Sequence, residues 1–295
     1  MCETKWLNCR LADLLPKLGA HAVSLPVISR LLHQHHYRLR INTKTIERTA
    51  AHPERNQQFE YLRDQRIAHQ AAGQPTLSLD TKKKELIGNF KQPGRIWSTQ
   101  PEQVNVHDFP NDALGRAVPY GIYDLQHNRG NVYVGQSADT PAFAVDNLVR
   151  WCESEMPQLY PQATRLFLEA DSGGSNGARA RHWKHQLQEK IADRFGLTVT
   201  VAHYPTGCSK WNPIEHRLFS EISKTWAGCP LRSYDVMLQY LAETKTQTGL
   251  SVKAQLVAKE YSKGIKVSDA AMAALNLQAH AICPQWNYTI APRSP

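Results

Sequence analysis

Two short apolar runs that each lead to an aspartate constrain this chain more than any other feature. "TLSLD" (76–80) alternates and ends on Asp80, and "RLFLEA" (165–170) is followed at once by Asp171. Runs of this length and composition read as strands. Between them, "YGIYDL" and "NVYVG" flank the polar turn "QHNRG" and read as an antiparallel hairpin. "FAVDNLVRWCESEM" then has helical periodicity through Phe143, Leu148, Val149 and Cys152. Beyond Asp171 come a helix from Ala178 to Arg194, the strand "LTVTVA" and a helix that begins at Asn212.

Three strands, helix, strand, helix, strand, helix is the order of the ribonuclease-H-like α/β fold, though other α/β domains share it. In that fold the first and fourth strands lie side by side, so Asp80 and Asp171 are expected at the same edge of the sheet. Glu215, in the first turn of the last helix, is expected to pack beside that edge. Three hard oxygen donors at one point suit Mg²⁺ or Mn²⁺. Two such ions about 3.5–4 Å apart can activate a water or 3′-hydroxyl and stabilise the leaving oxygen. Each acid also has a local explanation. Asp80 can simply close its strand, and Asp171 can make an Asx turn. Asn212-Pro213-Ile214-Glu215 is a capping box with proline at its first helical position.

"LEADSGGSNG" (168–177) also fits the G-x-S-x-G nucleophile elbow, with Ser175 as nucleophile. In an elbow the strand runs straight into the first glycine, whereas Asp171 and Ser172 intervene here. A hydrolase triad would also need a later acid and histidine, and no pair is singled out. Asp171 therefore carries the chemistry and Ser175 belongs to the loop. The glycines would let a phosphodiester backbone come close.

With 35 Lys and Arg against 26 Asp and Glu, the 295-residue chain carries +9. That balance fits a polyanionic partner or an ordinary basic enzyme. The length allows one large α/β domain with an appendage, or two domains. No run approaches the ~18 apolar residues of a membrane span, and "MCETKWLNCR" lacks the apolar core of a secretory signal. Six scattered cysteines without a C-x-x-C pair fit reduced thiols, hence a cytoplasmic protein, which a DNA partner would make nucleoid-associated. Leu11, Leu14, Leu15 and Leu18 have helical spacing, and a second helix starts after Ser24 with Pro26 in its first turn. The pair resembles a helix-turn-helix over a DNA-binding region 1–70. Arg38, Arg40 and Lys44 follow as phosphate contacts. "HQHHYR" reads as solvated histidines at a helix end. Basic residues also accompany each acid: Lys82, Lys83 and Lys84; Arg179, Arg181 and Lys184; Lys210 and Arg217. Of these, Lys82, Lys84, Arg179 and Lys210 are the candidates for DNA contact. The expected organisation continues with a catalytic core over 71–228 and a helical or irregular extension over 229–295.

"SLDTKKKELIGNFK", "ADSGGSNG", "SKWNPIEHRLFSEIS", "GIKVSD" and "WNYTI" together resemble the Rhodopirellula-type DDE transposases, the ISAzo group of insertion sequences. The resemblance runs from Leu11 to Thr289, with Pro213 where the family usually has Lys. It implies a ribonuclease-H-like core with Asp80, Asp171 and Glu215 as the three acids. It further implies cleavage of phosphodiesters at element ends and joining of the 3′-hydroxyl to target DNA. The expected cofactors are two Mg²⁺ or Mn²⁺ ions, and the expected partners are double-stranded DNA and further copies of the chain. A nuclease of the same fold, or an inactive DNA-binding remnant, are the alternatives. Family members generally carry more DNA-binding sequence ahead of this region. The chain is therefore expected to be shortened, with incomplete end recognition.

Overall fold

The computed structural model describes residues 23–37 and 52–293, and the chain divides into two compact units, Met1–Ala51 and His52–Pro295. In the first unit the described part is one helix, α1 (Leu25–Gln34), with Pro26 in its first turn. Ser24 stands at its N-cap position but its side chain makes no capping bond. Ile28 is buried and Leu31 exposed, and His33, His35 and His36 are exposed at the helix end. The helix expected over Leu11–Leu18, and Arg38, Arg40 and Lys44, lie outside the described residues.

The second unit is built on a mixed sheet. Its strands are β1 (Thr76–Thr81), β2 (Glu85–Ile87), β3 (Gly115–Asp124), β4 (Arg129–Gly135), β5 (Arg165–Asp171), β6 (Thr198–Tyr204), β7 (Ser251–Val257), β8 (Leu277–Ala279) and β9 (Asn287–Ile290). Their order is β7-β4-β3-β1-β5-β6-β9-β8, with β2 paired to β3 off this path. The five central strands have the ribonuclease-H-like order and directions. β3 runs antiparallel to both β1 and β4, whereas β1, β5 and β6 are parallel. Parallel neighbours need crossovers, and helices supply them. Helix α3 (Pro141–Ser154) leads from β4 to β5; the Thr140 hydroxyl caps it by accepting the Phe143 N–H at 3.2 Å. Helix α4 (Arg181–Leu187) leads from β5 to β6 and continues through a π-helical turn over Gln188–Ala192.

Side chains alternate across a strand, and that alternation decides where the acids point. Leu77, Leu79, Leu166, Leu168 and Ala170 share one core with Phe143, Trp151, Trp183 and Leu187 of α3 and α4. Ser78, Asp80, Glu169 and Asp171 therefore belong to the opposite face. There α2 (Arg55–Ala71) packs Tyr61 and Leu62 against Phe167 and Tyr204. A second helix on this face starts at Pro213, takes a π-helical turn over Glu215–Phe219 and continues as α5 (Ser220–Thr225). Its Ile214, Leu218, Phe219 and Ile222 pack on Tyr123, Val132 and Val134.

Two boundaries differ from the sequence reading. Helix α2, within the region assigned to DNA binding, belongs to the second unit, because Arg66 grips the buried Glu169 of β5 through two bonds of 2.7 Å. Segment 229–295, expected to be helical and irregular, carries α6 (Tyr234–Glu243) and α7 (Asp269–Ala273) but also three strands. β7 extends the sheet beyond β4, and β9 with β8 extends it beyond β6. These strands are short or half-exposed, so their apolar periodicity is weak, and the existing sheet edges order them.

Candidate active site

The parallel register pairs Leu79 with Ala170, and the next residue on each strand is an acid. Asp80 and Asp171 thus leave the sheet at the same edge, on strands about 4.8 Å apart. Glu215 reaches them through a buried polar joint between β1 and the helix that bears it. The Ser78 hydroxyl donates to the Asn212 side-chain oxygen and accepts the Ile214 N–H at 3.1 Å. The Asn212 amide donates to the Leu79 carbonyl and to Asp171 Oδ1, each at 3.3 Å. The capping-box explanation of this segment is therefore not realised. Glu215 N–H bonds the backbone oxygen of Asn212, and the Asn212 side chain is committed to the strands instead.

Gly121 completes the arrangement. It pairs with Asp80 across β1 and β3, and a Cβ there would stand 2.8 Å from Ile214 and 2.7 Å from Phe219. Only a residue without a side chain lets the Glu215 helix lie this close to the sheet.

Asp80 is pushed up to about 8 by burial first, then by the Asp171 and Glu215 carboxylates. The Thr81 N–H, donating at 2.7 Å, opposes that rise. Asp171 is pushed up to about 6 by burial, with the Asn212 amide opposing and the charge on Glu215 adding to it. Among the described residues none of the three acids is ion-paired to a Lys, Arg or His. Nor do any three His, Cys, Asp or Glu side chains among these residues form a ready-made metal-ligating group. The acids nevertheless lie close enough for the charge on one to raise the pKa of another. An all-oxygen donor set that is short of positive charge fits a hard divalent cation.

Asp171, Ser172, Gly173, Gly174 and Arg179 line an open cleft of about 810 Å³. Gly174 takes φ +72 with open space where a Cβ would stand, so the turn there is one that favours glycine. Ser175 is buried and its hydroxyl donates to Asn176 Oδ1 at 3.3 Å. That same oxygen accepts the Tyr120 hydroxyl at 3.0 Å. No base touches Ser175 among the described residues, in keeping with a role in the loop.

The basic candidates divide. Lys82 is drawn inward, 3.2 Å from Glu85 and 4.9 Å from the Trp226 ring centroid, with its side chain 10% exposed. Its charge is thus engaged by Glu85, although Lys82 lines the same cleft as Lys83 and Lys84. Lys84, Arg179 and Lys210 are exposed, Lys210 lying over the Trp211 ring at 5.4 Å. Lys184 is spent against the Tyr288 ring at 4.7 Å, and Arg181 pairs with Asp269. Sequence reasoning missed Ser78, Asn212 and Gly121. The available signal was a small polar residue on the acid-bearing face of β1.

Comparison with known proteins adds a family. The profile of the family described as Rhodopirellula transposase DDE domain matches residues 1–292. No match to a curated protein was found. Among solved structures, the Mos1 mariner paired end complex with Mn is 15% identical with a TM-score of 0.49, over 80% of this chain and 70% of that one. A pre-cleavage Mos1 transpososome is 14% identical with a TM-score of 0.48, over the same shares.

Proposed function

The chain belongs to the Rhodopirellula transposase DDE domain family, DNA transposases that work by nucleotidyl transfer, and we propose that Asp80, Asp171 and Glu215 are the carboxylates of its reaction centre. The observation that carries this is the parallel adjacency of β1 and β5, which brings Asp80 and Asp171 to one edge beside the Glu215 helix. The three acids would hold one or two Mg²⁺ or Mn²⁺ ions. Bound there, such ions activate a water or 3′-hydroxyl and stabilise the leaving oxygen. The chain's own part is positional. Asn212 orients Asp171, the Thr81 N–H fixes one oxygen of Asp80, and Ser78 fixes the helix that carries Glu215. The partner is duplex DNA: element ends are cut and the 3′-hydroxyl is joined to target DNA. Acting on two ends calls for two copies of the site, so the working unit is a homo-oligomer on DNA, at the nucleoid.

Strand transfer with labelled element ends and a supercoiled target tests this reading. Joined product that depends on Mn²⁺ or Mg²⁺, and on each acid, is the expected result. Cutting without joining would make the protein a nuclease, and binding without cutting an inactive remnant.

A further inference from the structure

The segment "SKGIKV" between β7 and α7 takes no part in the acid site, yet it is built with care. Its start is tied down where the Tyr261 N–H donates to Ser137 Oγ at 3.2 Å and the Tyr261 hydroxyl donates to Asp146 at 3.0 Å. Its end is held by Arg181, which donates to the Val267 carbonyl at 3.4 Å and pairs with Asp269. Ser268 then caps α7 by accepting the Ala271 N–H at 3.1 Å. Between these anchors Gly264 turns at φ +74, and Lys263 and Lys266 stand exposed with no ion-pair partner among the described residues. A loop whose backbone is anchored at both ends loses little backbone freedom on meeting an anion.

Its position gives the anion a class. The loop walls a cleft of about 540 Å³ whose floor includes Asp139 and Ala180. Ala180 also lines the cleft that contains Asp171 and Arg179. Asp139 also lines a third cleft, with Thr81, the Glu85-paired Lys82, Lys83, Lys84 and Arg116. The three clefts therefore adjoin, the first and third at Asp139 and the first and second at Ala180, and Asp171 lines the second. Lys83, Lys84 and Arg116 are exposed along one end, Lys263 and Lys266 in the middle, and Arg179 at the other. Asp139 is the one carboxylate on the floor of the middle cleft, and its Oδ1 accepts the Thr81 hydroxyl at 3.3 Å. An extended row of exposed cations beside acids that themselves repel anions matches a polyanion with regularly spaced charges rather than a small phosphate.

We propose that the Ser262–Val267 loop is a phosphate-contacting element of the DNA path, holding the duplex backbone through Lys263 and Lys266 as it passes the acids. This rests on the transposase reading above and adds a contact element to it. Such contacts position DNA without reading its sequence.

Salt dependence of binding tests it with a duplex of arbitrary sequence, about 30 base pairs long, in chelator so that no strand is cut. The full chain should show a linear fall of log affinity with log salt. The Lys263→Ala/Lys266→Ala protein should flatten that slope by about 1.8, at about 0.9 for each phosphate it no longer neutralises. Lys263→Arg/Lys266→Arg should retain the slope, and thermal melting of both variants should match the parent. An unchanged slope in a folded double-alanine variant, with the parent slope intact, would overturn the loop's role alone. Absence of salt-dependent binding by the parent would overturn the DNA reading and this inference with it.

Discussion

Asn212 donates its side-chain amide to Asp171 and to the carbonyl of Leu79, the residue before Asp80. One buried side chain thus spans the two strands that carry the proposed aspartate ligands, while its own helix carries Glu215. Removing that amide leaves the three acids in place but frees Asp171 to rotate. Asn212→Ala is expected to raise the Mn²⁺ concentration for half-maximal cleavage about 10-fold or more, the usual cost of losing a group that orients a metal ligand. Metal titration of strand cleavage checks it, with saturating metal recovering part of the rate. Equal loss at every metal concentration would make the effect a folding defect.

Metal-free stability should fall as pH rises. Asp80 moves from 3.8 in the unfolded chain to about 8 when folded, and Asp171 from 3.8 to about 6. The folded state therefore binds these protons more tightly, and their contribution is fully present below about pH 4. It declines as pH rises through 6 for Asp171 and through 8 for Asp80. In chelator, Tm should drop across this window, and Mg²⁺ or Mn²⁺ should restore it most at the alkaline end. A metal-induced rise in Tm that is the same at pH 5 and pH 8 would contradict the proposed linkage.

The same repulsion makes an unusual pair of outcomes for Asp80→Asn. The variant should lose strand cleavage, since the amide is a poor ligand for a hard cation. It should also melt higher than the parent in chelator at pH 8, because a buried, repelled charge has been removed. Glu215→Gln and Asp171→Asn should likewise abolish cleavage while leaving duplex binding in place. Any one of the three that cuts at the parent rate does not belong to the site.

How legible this centre was depends on the physics of each residue. Asp80 and Asp171 could be read because apolar strands announce themselves and an acid at the end of each is conspicuous. Glu215 could be placed because proline marks the start of its helix. Asn212 was misread as a cap: local spacing favours capping, and only the tertiary contact with Ser78 shows otherwise. Gly121 lies in mid-strand, and its reason is a helix that comes from Ile214 and Phe219, far along the chain. Strands β7, β8 and β9 escaped for a related cause, since edge strands borrow their order from neighbours. Lys82 looked like its neighbours in "TKKKE", and only burial distinguishes it.

Gly121→Ala should therefore act on both stability and chemistry. A methyl group there meets Ile214 and Phe219 at under 3.0 Å, and overpacking of this kind costs about 1–3 kcal/mol. Urea denaturation should show that loss. Cleavage should fall further than the unfolded fraction explains, because relief of the clash moves the Glu215 helix away from Asp80. If activity simply tracks the folded fraction, the close approach is not needed for catalysis.

Two lysines that differ by two positions should separate cleanly. Lys82 lies between the buried Glu85 carboxylate and the Trp226 ring, so Lys82→Ala strands a carboxylate and removes a cation–π contact. Breaking a buried pair in this way costs about 3–5 kcal/mol, and the loss should appear in denaturation. Its salt slope for duplex binding should stay that of the parent, because an inward lysine neutralises no phosphate. Lys84 is exposed beside Thr81 in the third cleft. Lys84→Ala should leave stability within about 0.5 kcal/mol and flatten the salt slope by about 0.9. The comparison controls itself, since both variants lose one positive charge from the same turn and differ only in where that charge points. A flattened slope from Lys82→Ala, in protein shown to be folded, would mean that the lysine swings out to meet DNA and that its pairing with Glu85 is a resting state.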